Sequence, residues 1–314
     1  MTALPIIIDC DPGIDDSVGI LMALASPELD VLGITVVAGN VELERTLRNT
    51  LQVRELSGRR EVPVLAGCHR PLVRKQLLGI YSGVKGLGPV TLPEPTTPLD
   101  PRHAVPFLVE SLTGAARTGA KITLCTMGPL TNVAMALRHA PVVAEGIARI
   151  VMMGGAFRQA GNRTMSAEFN ILADPHAAEI VLSSGLPIVC ASLDASHQAM
   201  TTPDRVAAIR TLGGTVAGTV ADLLTFWDRK DLKRFGSPGG PLHDPLVIAY
   251  LLRPSLFQCD RARVFVQHDS ELTMGQTIAD WWDKSGEPAN VEIIAKVDAD
   301  GYFALIRERL AAYA

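Results

Sequence analysis

Ile6-Ile7-Ile8-Asp9-Cys10-Asp11-Pro12-Gly13-Ile14-Asp15-Asp16 decides how this chain reads. The isoleucine run is apolar on both faces, as expected of a strand buried within a parallel sheet. Pro12-Gly13 interrupts it, and the apolar stretch beyond Ile14 reads as a helix. A strand passing through a tight turn into a helix is the opening half of a βαβ unit. Four carboxylates, Asp9, Asp11, Asp15 and Asp16, crowd that turn.

The alternation continues outward from this segment. Strand candidates are residues 6–9, 31–37, 62–65, 122–125, 150–153, 188–191, 262–266 and 291–297. Helix candidates are 15–25, 42–56, 104–117, 132–138, 175–183, 216–233, 245–252 and 301–312. The pattern predicts an α/β fold, an open and mostly parallel sheet with helices on both faces. No repeat and no linker divides the chain, so residues 1–314 are expected to form one domain. Two stretches, 69–101 and 154–170, lack periodicity and read as long functional loops.

Composition narrows the function classes. Hydrophobic residues make up 47% and charged residues 20%, which excludes global disorder. The net charge of −4, with no single-sign run, argues against a broad grip on nucleic acid or anionic lipid. Aromatics at 5% give little material for base-stacking platforms. The five cysteines form no CxxC pair, and Cys10, Cys125 and Cys190 adjoin apolar runs, where cysteine acts as a small buried hydrophobe. No stretch is long enough to span a bilayer and no basic leader precedes Ile6, so a reduced, cytoplasmic protein is expected.

The acidic turn has two readings. Asp15 and Asp16 suit the positive end of a helix dipole, and Asp9 or Asp11 suits a cap. Four acids this close also repel one another, and a hard cation relieves that repulsion. Oxygen-only donors point to Ca²⁺ or Mg²⁺ rather than Zn²⁺, and the spacing is not that of an EF-hand. The location, at the carboxyl end of a strand in an open α/β sheet, favours a ligand.

The segment from Ile7 to Asp16 resembles the N-terminal signature of the inosine-uridine-preferring nucleoside hydrolases, and the likeness extends along nearly the whole chain. Val36-Val37-Ala38-Gly39-Asn40, Met127-Gly128-Pro129-Leu130-Thr131-Asn132, Met153-Gly154-Gly155 with Asn162 and Ala167-Glu168-Phe169-Asn170, and Pro241-Leu242-His243-Asp244-Pro245 resemble further family motifs, in the family's order. The resemblance implies a Rossmann-like fold and calcium-dependent cleavage of ribonucleosides to free base and ribose. It implies a role in purine or pyrimidine salvage and a homodimer or homotetramer. It assigns Asp11, Asp16, Asp244 and the Met127 carbonyl to one Ca²⁺, with Asp11 also the general base on the attacking water. Asp15, Asn40, Asn162, Glu168 and Asn170 resemble the ribose-binding set, and carboxylates and amides suit sugar hydroxyls. If 168–170 is extended, Glu168 and Asn170 share a face. A lone Asn40 or Asn162 is otherwise a turn residue.

His243 resembles the family's leaving-group acid, protonating the departing base. Its neighbours Asp244-Pro245 also read as an N-cap followed by proline at the first helical position, and a cap whose carboxylate meets the ion joins the two readings. Asp9 is read as holding the turn or orienting Asp11. Asp174-Pro175 reads as a cap only. His197, beside Asp194 and Ser196, resembles a hydrolytic triad only superficially, because no Gly-x-Ser-x-Gly elbow accompanies it.

The match departs from the family at Tyr81-Ser82-Gly83, where Ser82 stands at the place of a frequent histidine. Ser82 is a candidate base-side donor, and Phe226 and Trp227 are candidates to stack on a nucleobase, although at helical spacing either suits a core. Two rival functions stand beside the hydrolase. A haloacid-dehalogenase-type Mg²⁺ phosphatase also begins with a strand ending Asp-x-Asp, but it has no counterpart of His243-Asp244. A calcium-dependent nucleoside-binding protein would need neither Asp11 as base nor His243 as acid.

Overall fold

The computed structural model describes residues 3–79, 81–226 and 239–314. Nine strands form one sheet: β1 (Leu4–Cys10), β2 (Leu29–Val36), β3 (Val64–Ala66), β4 (Ile122–Thr126), β5 (Ile147–Met153), β6 (Ile188–Ala191), β7 (Phe257–Val266), β8 (Thr277–Asp280) and β9 (Val291–Val297). Their order is β3-β2-β1-β4-β5-β6-β9-β7-β8. Pairing is parallel from β3 across to β9, and antiparallel between β9 and β7 and between β7 and β8. The open, mostly parallel sheet expected from the alternation is the sheet observed.

The isoleucine run shows why both faces need helices. Ile6 and Ile8 enter one apolar cluster and Ile7 the other, as strand alternation requires, and all are fully buried. Burying each is worth roughly 1.5–3 kcal/mol. On the Ile6 side lie helices Ile14–Leu24, Gly214–Thr225, Pro245–Leu252 and Ala299–Leu310; on the Ile7 side lie Ala104–Thr118, Thr131–His139 and Pro175–Leu182.

Strand order reverses at β1. The chain runs outward through β2 to β3 on one side, then returns to place β4, β5 and β6 on the other. The carboxyl ends of β1 and β4 therefore flank a topological switch point, where ligands bind in open α/β sheets. Asp11 directly follows β1 and Met127 directly follows β4.

Some elements were not apparent in the sequence. Helices Phe169–Ala173 and Leu193–Ser196 are too short to display a 3.6-residue period. Pro203–Arg210 buries only Ile209 and so shows no apolar stripe. Strand β8, Thr277-Ile278-Ala279-Asp280, has no apolar run to announce it. The helix expected over 216–233 is seen as Gly214–Thr225, and the part beyond 226 lies outside the described residues. Segment 69–101 is irregular as expected, but 154–170 ends in the first residues of helix Phe169–Ala173. Among the described residues, no helix is long and apolar enough to cross a membrane.

Candidate active site

The turn after β1 folds the acids against one another. Asp16, at the third position of helix Ile14–Leu24, reaches back to accept from the Gly13 N–H (2.9 Å) and the Asp11 N–H (3.2 Å). Asp16 thus sits at the positive end of the helix as expected, but the capping expected of Asp9 or Asp11 is not seen, Asp16 being the acid that reaches back across the turn. Asp11 Oδ2 accepts from the Asn40 N–H at 2.6 Å, while Asp11 Oδ1 is buried with no hydrogen-bond partner. Asn40 also donates its amide to Asp11 O (3.1 Å) and Asp16 Oδ2 (3.2 Å). Asn40 is thus a clamp between β2 and the acidic turn in addition to its expected place beside the sugar.

Asp244 comes from the far end of the chain and meets Asp16, the two carboxyls lying in hydrogen-bond contact. Two carboxyls so placed need a shared proton or a cation. Burial, then the charge of Asp15, raises the Asp16 pKa to about 7. Burial, followed by Asp15, Asp16 and Asp11, drives Asp244 well above its ordinary value. Asp11 is raised likewise, by burial and then by Asp16. Asp244 stands at the N-cap position of Pro245–Leu252 but makes no side-chain cap hydrogen bond. The expected dual role is therefore corrected: turned toward Asp16, the carboxylate does not serve the helix's N–H groups.

A cation fits this set. Ligand oxygens of Asp15, Asp16 and Asp244 lie within 4.8 Å of one another, all from hard donors. This grouping differs from the resemblance-based set, which names Asp11 and leaves Asp15 to the sugar; the two share Asp16 and Asp244. The Met127 carbonyl lies at the same cleft and accepts from the Asn170 amide at 2.9 Å, with a second lone pair remaining. The hydrogen bonds of Asp9 run to residues other than Asp11. Asp9 accepts from Thr35 Oγ1 (2.6 Å) and Asn132 Nδ2 (2.8 Å), tying β1 to β2 and to helix Thr131–His139, and burial raises its pKa to about 7.

Above the acids opens a cleft at the carboxyl ends of the strands, its space about 670 Å³ when the open mouth is counted. Asp15, Asn40, Ser82, Met127, Asn162, Glu168, Asn170, His243 and Asp244 line it. Asp11 and Asp16 are fully buried and lie outside the lining. Segment 168–170 is extended only at Glu168, which caps helix Phe169–Ala173, its carboxylate accepting from the N–H groups of Asn170 (2.9 Å), Gly155 (3.0 Å) and Ile171 (3.2 Å). Glu168 and Asn170 still share the cleft because one is the cap and the other lies in the first turn. Burial raises Glu168 to about 7 against those hydrogen bonds. Asn162 Oδ1 accepts from the Phe169 N–H (2.9 Å), fastening the loop to the same helix. His243 Nδ1 lies 2.7 Å from Ser196 Oγ.

The pattern of the inosine-uridine preferring nucleoside hydrolases matches residues 6–304. The chain belongs to that family. It is 43% identical to the pyrimidine-specific ribonucleoside hydrolase RihA of Shigella flexneri serotype 5b, covering 99% of this chain and all of the relative. It is 44% identical to an uncharacterized protein of Schizosaccharomyces pombe over 98% of this chain and 99% of that one. Among solved structures, the purine-preferring ribonucleoside hydrolase from Gardnerella vaginalis superposes with a TM-score of 0.89 at 30% identity, covering 98% of each chain.

With the family established, the remaining candidates fall into place. Ser82 lines the cleft, 5% exposed. Phe226 is not in the lining; its ring packs over Gly88 and Gly83 of the Ser82 loop and against the core. The ring is half-buried there, and the two glycines leave room for it. Trp227 lies outside the described residues. Asp174 caps Pro175–Leu182 as expected, accepting from the Ala177 N–H (3.0 Å). No triad forms at His197: the Asp194 carboxylate takes the N–H groups of Phe157 (2.8 Å) and Arg158 (2.7 Å), and Ser196 turns to His243. Sequence reasoning missed Tyr81, Arg163 and His197 as lining residues. The irregularity of 69–101 and 154–170 was the available signal for the first two, and the Tyr81 hydroxyl joins those stretches by donating to the Asn162 carbonyl (3.0 Å).

Proposed function

We propose that the chain, by family a hydrolase of N-glycosyl compounds, cleaves ribonucleosides to free base and ribose with Ca²⁺ as its cofactor. The observation that carries this reading is one cleft lined by Asp15, Asp244, Glu168, Asn170 and His243 together. A sugar needs carboxylate and amide partners, and a departing base needs a proton. His243 and Asp244 in that lining have no counterpart in the phosphatase alternative, which weighs against it.

Asp11, Asp16, Asp244 and the Met127 carbonyl, with Asp15 as the geometric alternative to Asp11, would hold the Ca²⁺. Bound there, the ion would supply the positive charge that lowers the pKa of a nearby water and renders it nucleophilic. Asp11, fixed through Oδ2 by Asn40, keeps Oδ1 to accept the proton of the attacking water. Asp15, Asn40, Asn162, Glu168 and Asn170 hold the ribose as positive charge develops on it, and buried carboxylates stabilise that charge strongly in a water-poor site. His243 gives its proton to the departing base. Likeness to RihA supports uridine and cytidine as first substrates. The reading extends to a cytoplasmic homodimer or homotetramer acting in nucleoside salvage; five free cysteines suit a reducing compartment.

The test is a reducing-sugar assay over purine and pyrimidine ribosides, with and without calcium chelation. Ribose appears from at least one riboside without added phosphate, fastest from a pyrimidine, and chelation stops it. Calcium-dependent riboside binding with no sugar released would overturn the hydrolase reading in favour of a binding protein.

A further inference from the structure

We propose that Ser196 is a positioning residue for His243, fixing the ring's rotation and tautomer so that Nε2 is the nitrogen presented to the departing base. The inference rests on the reading of His243 as leaving-group acid. Ser196 is fully buried at the end of helix Leu193–Ser196. The start of that helix is held by two hydrogen bonds. The Leu193 N–H donates to Gly155 O (2.9 Å), and the Ser192 hydroxyl accepts from the Asp194 N–H (3.2 Å). The Ser196 hydroxyl therefore starts from a fixed backbone, and it meets His243 Nδ1 at 2.7 Å.

Hydroxyl direction sets the tautomer. Ser196 Oγ has the Leu193 carbonyl within its own helix at 3.5 Å. With its proton toward that carbonyl, Oγ accepts from Nδ1–H. As the glycosidic bond breaks, its electron pair passes to the base nitrogen, which takes the Nε2 proton of the imidazolium. The ring is left neutral with Nδ1–H still bonded to Ser196, so no rearrangement of the ring accompanies the transfer. Without the hydroxyl, rotation about the ring's axis presents a C–H in place of Nε2, and proton delivery falters although the sugar still binds. A hydroxyl that merely fills space would affect stability, and would affect every substrate alike.

The experiment compares the fastest natural riboside of the panel with 4-nitrophenyl riboside, whose phenolate departs unprotonated. It uses Ser196→Ala, Ser196→Thr, His243→Ala and the Ser196→Ala/His243→Ala double variant. Ser196→Ala lowers kcat on the natural riboside by about 10- to 100-fold, with KM within about twofold, and spares 4-nitrophenyl riboside. Ser196→Thr restores turnover, and Ser196→Ala costs nothing more in the His243→Ala background. Retained activity on 4-nitrophenyl riboside shows that each variant has folded. Equal losses on both substrates, a further loss in the double variant, or wild-type kcat for Ser196→Ala would each overturn the proposal. If His243→Ala is impaired on the natural riboside alone while Ser196→Ala is not, Ser196 has no such role and the acid assignment stands. If His243→Ala keeps full activity on both, the acid assignment itself fails, and this inference with it.

Discussion

A methyl group on Gly39 would collide with Asp11 Oδ2, and one on Gly128 would lie 2.5 Å from Asp11 Oδ1, so backbone closes around both oxygens of this carboxylate. Only residues lacking a Cβ permit that approach. Asn40 N–H then fixes Oδ2 at 2.6 Å, and Oδ1 keeps one orientation. Gly39→Ala should push the carboxylate aside without removing it. The expected outcome is a fall in kcat/KM of about 100-fold, because displacement by an ångström costs that much where a reacting group must be aligned. Steady-state kinetics beside a thermal melt will separate misplacement from unfolding. Activity within a few-fold of wild type in a folded Gly39→Ala protein would show that Asp11 need not be held where it is. Asp11→Ala, with no carboxylate at all, should abolish turnover while the fold persists.

Elements carry these residues to the cleft, and they differ in how plainly the sequence announces them. β1 and helix Ile14–Leu24 were legible because a fully apolar run and a helix-starting acid pair leave few alternatives. The Ser196–His243 pairing was not, because the residues lie 47 positions apart and meet only through tertiary packing. For Glu168 and Asn170 the condition of an extended segment holds only at Glu168, and a five-residue helix beginning at Phe169 cannot reveal its period in the sequence. The loop carrying Tyr81 and Ser82 likewise has no pattern of its own, and Glu55 of helix Leu43–Leu56 anchors its far end. Burial opposes ionisation of Glu55, but the Thr97 hydroxyl (2.6 Å) and N–H (2.6 Å) and the Thr96 N–H (2.8 Å) more than offset it, leaving its pKa at about 2. A depressed carboxyl contributes stability that is full above its unfolded value of about 4.3 and fades as pH falls toward 2. Glu55→Gln should therefore be less stable than wild type at pH 7, with the difference shrinking between pH 5 and pH 2. Chemical denaturation across that range measures it, and a difference independent of pH would show that the Glu55 charge is not what holds the loop.

For the whole molecule, the strand order places the acids where they are most costly and most useful. A switch point between β1 and β4 collects residues 15, 127 and 244 into one crevice, so distant parts of the chain converge there. The motifs at Asp11, Asn40, Met127 and Met153 were legible in advance because they lie at the carboxyl ends of apolar strands β1, β2, β4 and β5, whereas Glu168 and Asp244 each lead into a helix. Which acids share an ion was not legible, because spacing along the chain does not give distances across the crevice. Asp11, Asp16 and Asp244 are at most 4% exposed, and each is driven toward protonation by burial and mutual repulsion. Folding in the absence of a cation thus opposes their ionisation, and a cation bound only by the folded chain reverses that. At free Ca²⁺ about 100-fold above its dissociation constant, linkage adds about 2.7 kcal/mol of stability. For a chain of this size, that corresponds to a rise in Tm of about 4 °C. Thermal scans in a chelator and in rising CaCl₂ should show that shift, and Asp244→Asn should diminish it. If the melting temperature ignores calcium while ribosides are still cleaved, the cluster manages its charge with protons alone, and the water must be activated by Asp11 without a metal.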